Sequence, residues 1–219
     1  MASNSISSHI IGITIAVDNQ GIMYITDFAE CTVLKVQPDG TASLLAGKKK
    51  VSALVDGKGG DARFSGPTAI RLAAEGYLVV TDGSGKAWWD VDKTLRKIYL
   101  GGTVRTFYKA KENEYIDDVA IAKRDKDFKA SRYENYILAI ESFADDYSSN
   151  YQIRHLSDTG EETPITALNA NGFKNGYGYE AQFNTNFGYG SPLSLTVWQN
   201  TIYVADNGND AIRTIRAAR

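Results

Sequence analysis

The chain has 219 residues, 43% of them hydrophobic, with a formal net charge of −2 and a pI near 5.7. That length suits one all-β domain spanning 1–219 with a substantial core, and the slight acidity excludes a basic nucleic-acid footprint, Lys48-Lys49-Lys50 being too short to reverse it. Cys31 is the single cysteine, so no intramolecular disulfide forms, and no stretch approaches the roughly 18 apolar residues of a membrane span.

Met1 to Ser8 lacks the basic start and apolar run of a secretory leader. The expected location is therefore cytoplasmic or virion-associated, or extracellular if the chain is cut from a longer precursor. From there a pattern of alternating strands recurs. In the first repeat, 12–47, Ile13 to Asp18 is followed by Tyr24-Ile25-Thr26-Asp27, Val33-Leu34-Lys35-Val36 and Ala42-Ser43-Leu44-Leu45. The second, 64–110, runs Ala69-Ile70-Arg71-Leu72, Val79-Val80-Thr81-Asp82, Leu95-Arg96-Lys97-Ile98 and Val104-Arg105-Thr106-Phe107. The third, 116–168, offers Val119-Ala120-Ile121-Ala122, Leu138-Ala139-Ile140-Glu141, Ile153-Arg154-His155-Leu156 and Thr163-Pro164-Ile165-Thr166. The fourth, 183–215, has Leu193 to Val197, Tyr203-Val204-Ala205-Asp206 and Ile212-Arg213-Thr214-Ile215, with no fourth strand after them.

Period-2 alternation bounded by Gly, Asn, Asp and Pro turns reads as antiparallel strands, and four strands repeated as a unit make a propeller blade. The acid-ending strands recur at intervals of 55, 59 and 65 residues, longer than the roughly 40–45 of a WD blade, so the repeats carry long insertions. A second signature supports the period: Asp56-Gly57-Lys58-Gly59-Gly60-Asp61-Ala62-Arg63-Phe64 parallels Asn175-Gly176-Tyr177-Gly178-Tyr179-Glu180-Ala181-Gln182-Phe183. Its glycines suit tight connectors, and its Phe is placed to pack between neighbouring sheets.

Ile15-Ala16-Val17-Asp18, Tyr203-Val204-Ala205-Asp206, Leu95-Arg96-Lys97-Ile98 and Leu44-Leu45-Ala46-Gly47 give the chain its resemblance to the NHL-repeat family. The resemblance covers nearly the whole chain, weakest in the third repeat. It implies an all-β propeller of four NHL-like blades with four antiparallel strands each, closed as four or forming part of a larger propeller. It implies no single activity.

Strand-end acids on equivalent blades converge in a propeller, so Asp18, Asp27, Asp82, Glu141 and Asp206, with Asn207, are the candidate axial ligands for Ca²⁺. The competing reading has each acid accepting backbone hydrogen bonds and fixing the next turn. Histidine is confined to His9 and His155, too few for a multi-histidine zinc site, and Cys31 has no nearby histidine partner in sequence. Asp145 to Asn150 and Asp125-Lys126-Asp127 read as loops without EF-hand spacing.

Aromatic residues crowd the insertions. Trp88, Trp89, Tyr147, Tyr151, Tyr177, Tyr179 and Tyr189 form the candidate binding surface, suited to a protein partner or a glycan. The leading expectation is a non-enzymatic binding or assembly module, without cofactor, without nucleic acid or membrane insertion, and open to homo-oligomer or larger assembly. Its alternatives are a structural virion component, such as a phage tail or receptor-binding protein, and a metal-dependent propeller hydrolase or lyase.

Overall fold

The computed structural model describes residues 14–83, 94–122, 135–145, 148–166, 172–175, 180–183, 194–198 and 201–216. Its fold is an all-β propeller with four antiparallel sheets as blades. They fall into two compact units, Met1–Lys109 and Ala110–Arg219, with two blades in each.

In the first unit, blade 1 pairs β1 (Ile15–Val17), β2 (Met23–Asp27), β3 (Thr32–Val36) and β4 (Ala42–Gly47) in sequence order. Each hairpin turn has a chemical cause. Asp18 Oδ1 accepts the Gln20 and Ile22 amides, while Gly21 takes the positive φ of +78° that closes the first turn. Asp39 does the same for the Thr41 amide between β3 and β4.

Blade 2 has five strands, β5 (Gly57–Lys58), β6 (Pro67–Leu72), β7 (Tyr77–Asp82), β8 (Thr94–Tyr99) and β9 (Thr103–Lys109), ordered β5-β9-β8-β7-β6. The glycine-rich connector, expected as a turn, thus adds a short strand outside β9. Phe64, at the connector's end, is fully buried with Val33, Ile70, Leu78, Val80 and Ile98 drawn from both sheets. Burying apolar faces from two sheets against one ring is what makes these blades one unit.

In the second unit, blade 3 contains β10 (Glu114–Ala122), β11 (Asn135–Asp145), β12 (Ser148–Leu156) and β13 (Glu162–Pro164); blade 4 contains β14 (Ser194–Trp198), β15 (Thr201–Asp206) and β16 (Ala211–Arg216). Phe183 repeats the part of Phe64, packing with Ile137, Ile153, Leu195, Val204 and Ile215. The third-repeat insertion is corrected: β11 and β12 continue their ladder out to Phe143↔Ser149 and Asp145↔Ser148, so the Asp145–Asn150 stretch read as loop is largely strand. A hairpin extended in this way satisfies its backbone groups internally, which a polar loop of that length does not.

Candidate functional site

The strand-end acids resolve into four different arrangements. Asp82 closes β7, where Arg96 of β8 stands diagonally across on the same face. Arg96 Nη1 donates to Asp82 Oδ2 at 2.7 Å and to the Arg63 carbonyl at 3.1 Å; its Nη2 donates to the Val55 carbonyl at 2.9 Å and Asp56 Oδ1 at 3.0 Å. Asp82 Oδ1 accepts the Ser65 and Gly66 amides, both at 2.9 Å. The guanidinium also lies 5.2 Å from the centre of the Phe64 ring.

Blade 4 repeats this constellation. Arg213 Nη1 donates to Asp206 Oδ2 at 2.9 Å and the Gln182 carbonyl at 3.2 Å, while Nη2 reaches the Lys174 carbonyl at 2.9 Å and Asn175 Oδ1 at 2.7 Å. Its guanidinium lies 5.3 Å from the Phe183 ring centre. The connector motif therefore wraps an arginine: its first residue, Asp56 or Asn175, supplies a side-chain oxygen, the residue before it and the residue before its Phe supply carbonyls, and the Phe supplies a ring face. Asp82 and Asp206 have their carboxylates engaged by these arginines, and are set aside as metal ligands.

Blade 3 lacks a glycine-rich connector, since β10 begins five residues after β9 ends. Its arginine finds other acids: Arg154 makes a bidentate pair with Glu114, at 2.9 and 2.7 Å, and reaches Glu162 at 2.7 Å. The register of blade 3 also differs from that of blade 2. Arg154 faces Leu138, as Arg96 faces Val80, so the position matching Asp82 is Ile140 and Glu141 falls one residue beyond it. Glu141 thus leaves the expected column. Asp18 is held in its turn, with Oδ2 accepting the Tyr24 hydroxyl at 3.1 Å. Only Asp27 keeps the column without an arginine, because Leu34 occupies the equivalent place opposite Ile25. Among the described residues, no group of three or more His, Cys, Asp or Glu side chains has the arrangement of a metal centre.

The inner strands carry polar groups that residue patterning missed. β6 and β10 each have a register break, between Pro67 and Ile70 and between Ile116 and Asp118. Such bulges re-aim side chains and leave ladder groups to be satisfied otherwise. In the first unit, Thr14 Oγ1 donates to the Thr68 carbonyl at 2.9 Å and accepts the Ile70 amide at 2.7 Å. In the second, Asp118 stands where Thr14 does. Its Oδ2 accepts the Leu195 amide at 3.0 Å and the Ser194 hydroxyl at 2.9 Å, and its Oδ1 accepts the Val119 amide at 2.8 Å. Asp118 is buried while Ser194 is exposed, so a buried carboxylate is joined by a part-buried hydrogen bond to a serine at the surface. The signal available in the sequence is the carboxylate immediately before Val119, where the other repeats have Thr14, Ala69 and Ser194.

Of the aromatic candidates, Tyr151 is 7% exposed and belongs to the second unit's core. It is a packing residue, which corrects its assignment to a binding surface. Trp88, Trp89, Tyr147, Tyr177, Tyr179 and Tyr189 lie outside the described residues. Cys31 is buried, and that burial, with the negative charge of Asp82, Asp27 and Glu30, raises its thiol above the ordinary value. Its Sγ lies 3.7 Å from the Phe28 carbonyl and 3.9 Å from that of Ser65. A protonated, packed thiol is no nucleophile.

No protein-family profile and no curated protein matches the sequence. Solved structures do match. A catalytically inactive virginiamycin B lyase from Staphylococcus aureus, crystallised with quinupristin, aligns over 97% of this chain and 58% of its own at a TM-score of 0.53 and 10% identity. Regucalcin from Agrobacterium tumefaciens, described as a calcium-binding protein, aligns over 95% and 55% at 0.52 and 11% identity. A putative gluconolactonase aligns over 92% and 58% at 0.50 and 12% identity. This chain therefore spans somewhat more than half the length of each. The likeness shows a β-propeller fold, and nothing in it is specific to the NHL repeats that the strands resemble. It corrects the expectation of a non-enzymatic module, because two of these three matched propellers, the lyase and the gluconolactonase, bear the names of enzymes; it lends no support to the glycan-binding and virion readings.

Proposed function

We propose that this chain acts as a propeller hydrolase or lyase on an ester or lactone substrate. The observation that carries the reading is the alignment of nearly the whole chain with a lyase and a putative gluconolactonase. The Asp118–Ser194 pair supports it in this chain's own chemistry: a buried carboxylate fixed by two amides, 2.9 Å from the hydroxyl of a serine at the surface.

In hydrolysis, Asp118 accepts the proton of a water as the water oxygen bonds to the substrate's carbonyl carbon. The carbon–oxygen bond then breaks, and the same proton passes to the departing alkoxide. Ser194 orients the attacking water through its hydroxyl. Thr14 shows that a neutral group suffices to hold the next inner strand, so the charge at Asp118 exceeds what that contact requires.

Dependence on a divalent ion belongs to this reading through the calcium-binding name of regucalcin. Asp82 and Asp206 do not fit such an ion, since arginines already occupy them. The test is turnover of a panel of lactones and aryl esters, followed in a pH-stat with calcium and with EDTA. Wild-type protein is expected to turn over at least one member, and Asp118→Asn, which keeps an acceptor oxygen for the Leu195 amide but turns its amide nitrogen toward the Val119 N–H, to lose about 10²–10⁴-fold in rate while still melting cooperatively, at a cost of about 1–3 kcal/mol. Absence of turnover under both conditions, or equal rates in the variant, overturns it.

A further inference from the structure

Blade 1 keeps the buried strand-end acid of blades 2 and 4 but lacks the guanidinium that neutralises it. Asp27 is 3% exposed, and its carboxylate accepts one hydrogen bond, from the Glu30 amide at 3.1 Å. Asp82, in the equivalent place, has two amides and Arg96. Leu34 fills the arginine's position in β3. No ion pair among the described residues includes Asp27. An isolated ionised carboxylate out of water costs several kcal/mol or more, so a buried carboxyl without a guanidinium beside it is neutralised by a bound cation or by a proton.

A second, independent observation lies beside it. Thr32, opposite Asp27 in the β2–β3 ladder and fully buried, has its Oγ1 without a hydrogen-bond partner. In blade 2 the equivalent Thr94 Oγ1 donates to the Asp82 carbonyl at 2.8 Å. Directly paired residues of an antiparallel ladder share one face. A carboxylic oxygen and an unpartnered hydroxyl oxygen therefore stand side by side, on the face that holds a cation in two other blades.

We propose that blade 1 binds a small hard cation through the Asp27 carboxylate and the Thr32 hydroxyl, in the place that a guanidinium fills in blades 2 and 4. Oxygen-only donors favour calcium or an alkali ion over the softer transition metals. Cys31 does not shift that preference, since its thiol is held protonated against backbone carbonyls. A single carboxylate implies weak binding, half-saturating at about 10⁻⁴–10⁻³ M for calcium. This site is separate from the Asp118–Ser194 pair and stands whether or not the chain is an enzyme.

The test is thermal melting and titration calorimetry of the full chain with calcium chloride, and separately with potassium chloride, at constant ionic strength. Wild type is expected to show saturable heat and a rise in Tm with one of the two ions. Asp27→Asn should lose both responses. Leu34→Arg, which installs the guanidinium of blades 2 and 4, should also lose both and melt no lower than ion-free wild type. It decides the matter if Asp27→Asn fails to fold. An ion-insensitive wild type, or a response surviving in Leu34→Arg, overturns the proposal and leaves the two oxygens to a bridging water.

Discussion

Arg96 Nη1 lies 2.7 Å from Asp82 Oδ2 with neither side chain exposed, and the pair joins the connector of blade 2 to its two central strands. Removing one partner strands a buried charge, which costs about 3–5 kcal/mol, whereas replacing both by apolar groups of similar volume is often neutral. Arg96→Met is therefore expected to lower unfolding free energy by that amount, and the double variant Arg96→Met/Asp82→Leu to recover most of it. Denaturant melts of the two proteins check this; equal losses would mean that the connector carbonyls at Val55 and Arg63, and not Asp82, set the cost.

Acid should act in opposite senses on the two units. Burial raises the Asp82 carboxyl to about 6, against the opposing pull of the Gly66 amide, Arg96 and the Ser65 amide. With its folded value above its unfolded one, Asp82 favours folding most below the ordinary carboxylate value of 3.8, and this contribution is lost as pH rises through about 6. Glu114 behaves conversely. Burial works to raise it, but the hydrogen bonds and charge of Arg154, with Lys111, overcome burial and leave it below its ordinary 4.5. Its contribution is present above 4.5 and lost as pH falls through the depressed value. Melting from pH 3 to 7 should show Asp82→Asn removing a fall in stability between about pH 4 and 6, and Glu114→Gln removing a loss at the acid end.

Strand order and the blade period were legible because alternation and turn residues are local. The acid–arginine pairs were half legible. Asp82 and Arg96 each recur by position, yet their partnership depends on a diagonal register that spacing does not display. Glu141 shows the limit: it ends an apolar run as Asp82 does, but the β11–β12 register moves it out of the column. Asp118 was overlooked because it precedes by one residue the alternating run Val119–Ala122, although β10 itself begins at Glu114, and the other repeats carry small or hydroxyl side chains there. Its role appears only when β10 lies beside β14. Tyr151 misled for a related reason, since an aromatic residue near an insertion reads the same in sequence whether its ring faces solvent or the core.

Gly47 closes β4 where the chain passes close to the turn before β3. Its φ is +100°, and a Cβ there would meet the Cys31 carbonyl oxygen at 2.6 Å, with Phe64 Cδ2 and Thr32 Cα at 3.0 Å. Both the backbone conformation and the space demand glycine. Gly47→Ala should cost about 2–4 kcal/mol from strain and overpacking together. Urea titration would reveal it; a loss below about 0.5 kcal/mol, ordinary for a surface change, would mean that the turn relaxes freely.

In the inner-strand contact between blades 1 and 2, one hydroxyl acts in both directions. Thr14 Oγ1 accepts the Ile70 amide and donates to the Thr68 carbonyl, which also accepts Thr26 Oγ1 at 2.6 Å. Thr14→Val keeps shape but removes the acceptor, so the Ile70 amide beside the bulge loses that partner while the Thr68 carbonyl retains Thr26. The cost should be about 1–3 kcal/mol, the penalty for a buried donor left unsatisfied. Hydrogen exchange gives the sharper readout. In the variant, protection of the Ile70 amide should fall by at least tenfold relative to its neighbours in β6, whereas Thr14→Ser should keep it. Uniform loss across β6 would show instead that Thr14 acts through general packing of the strand, not through this bond.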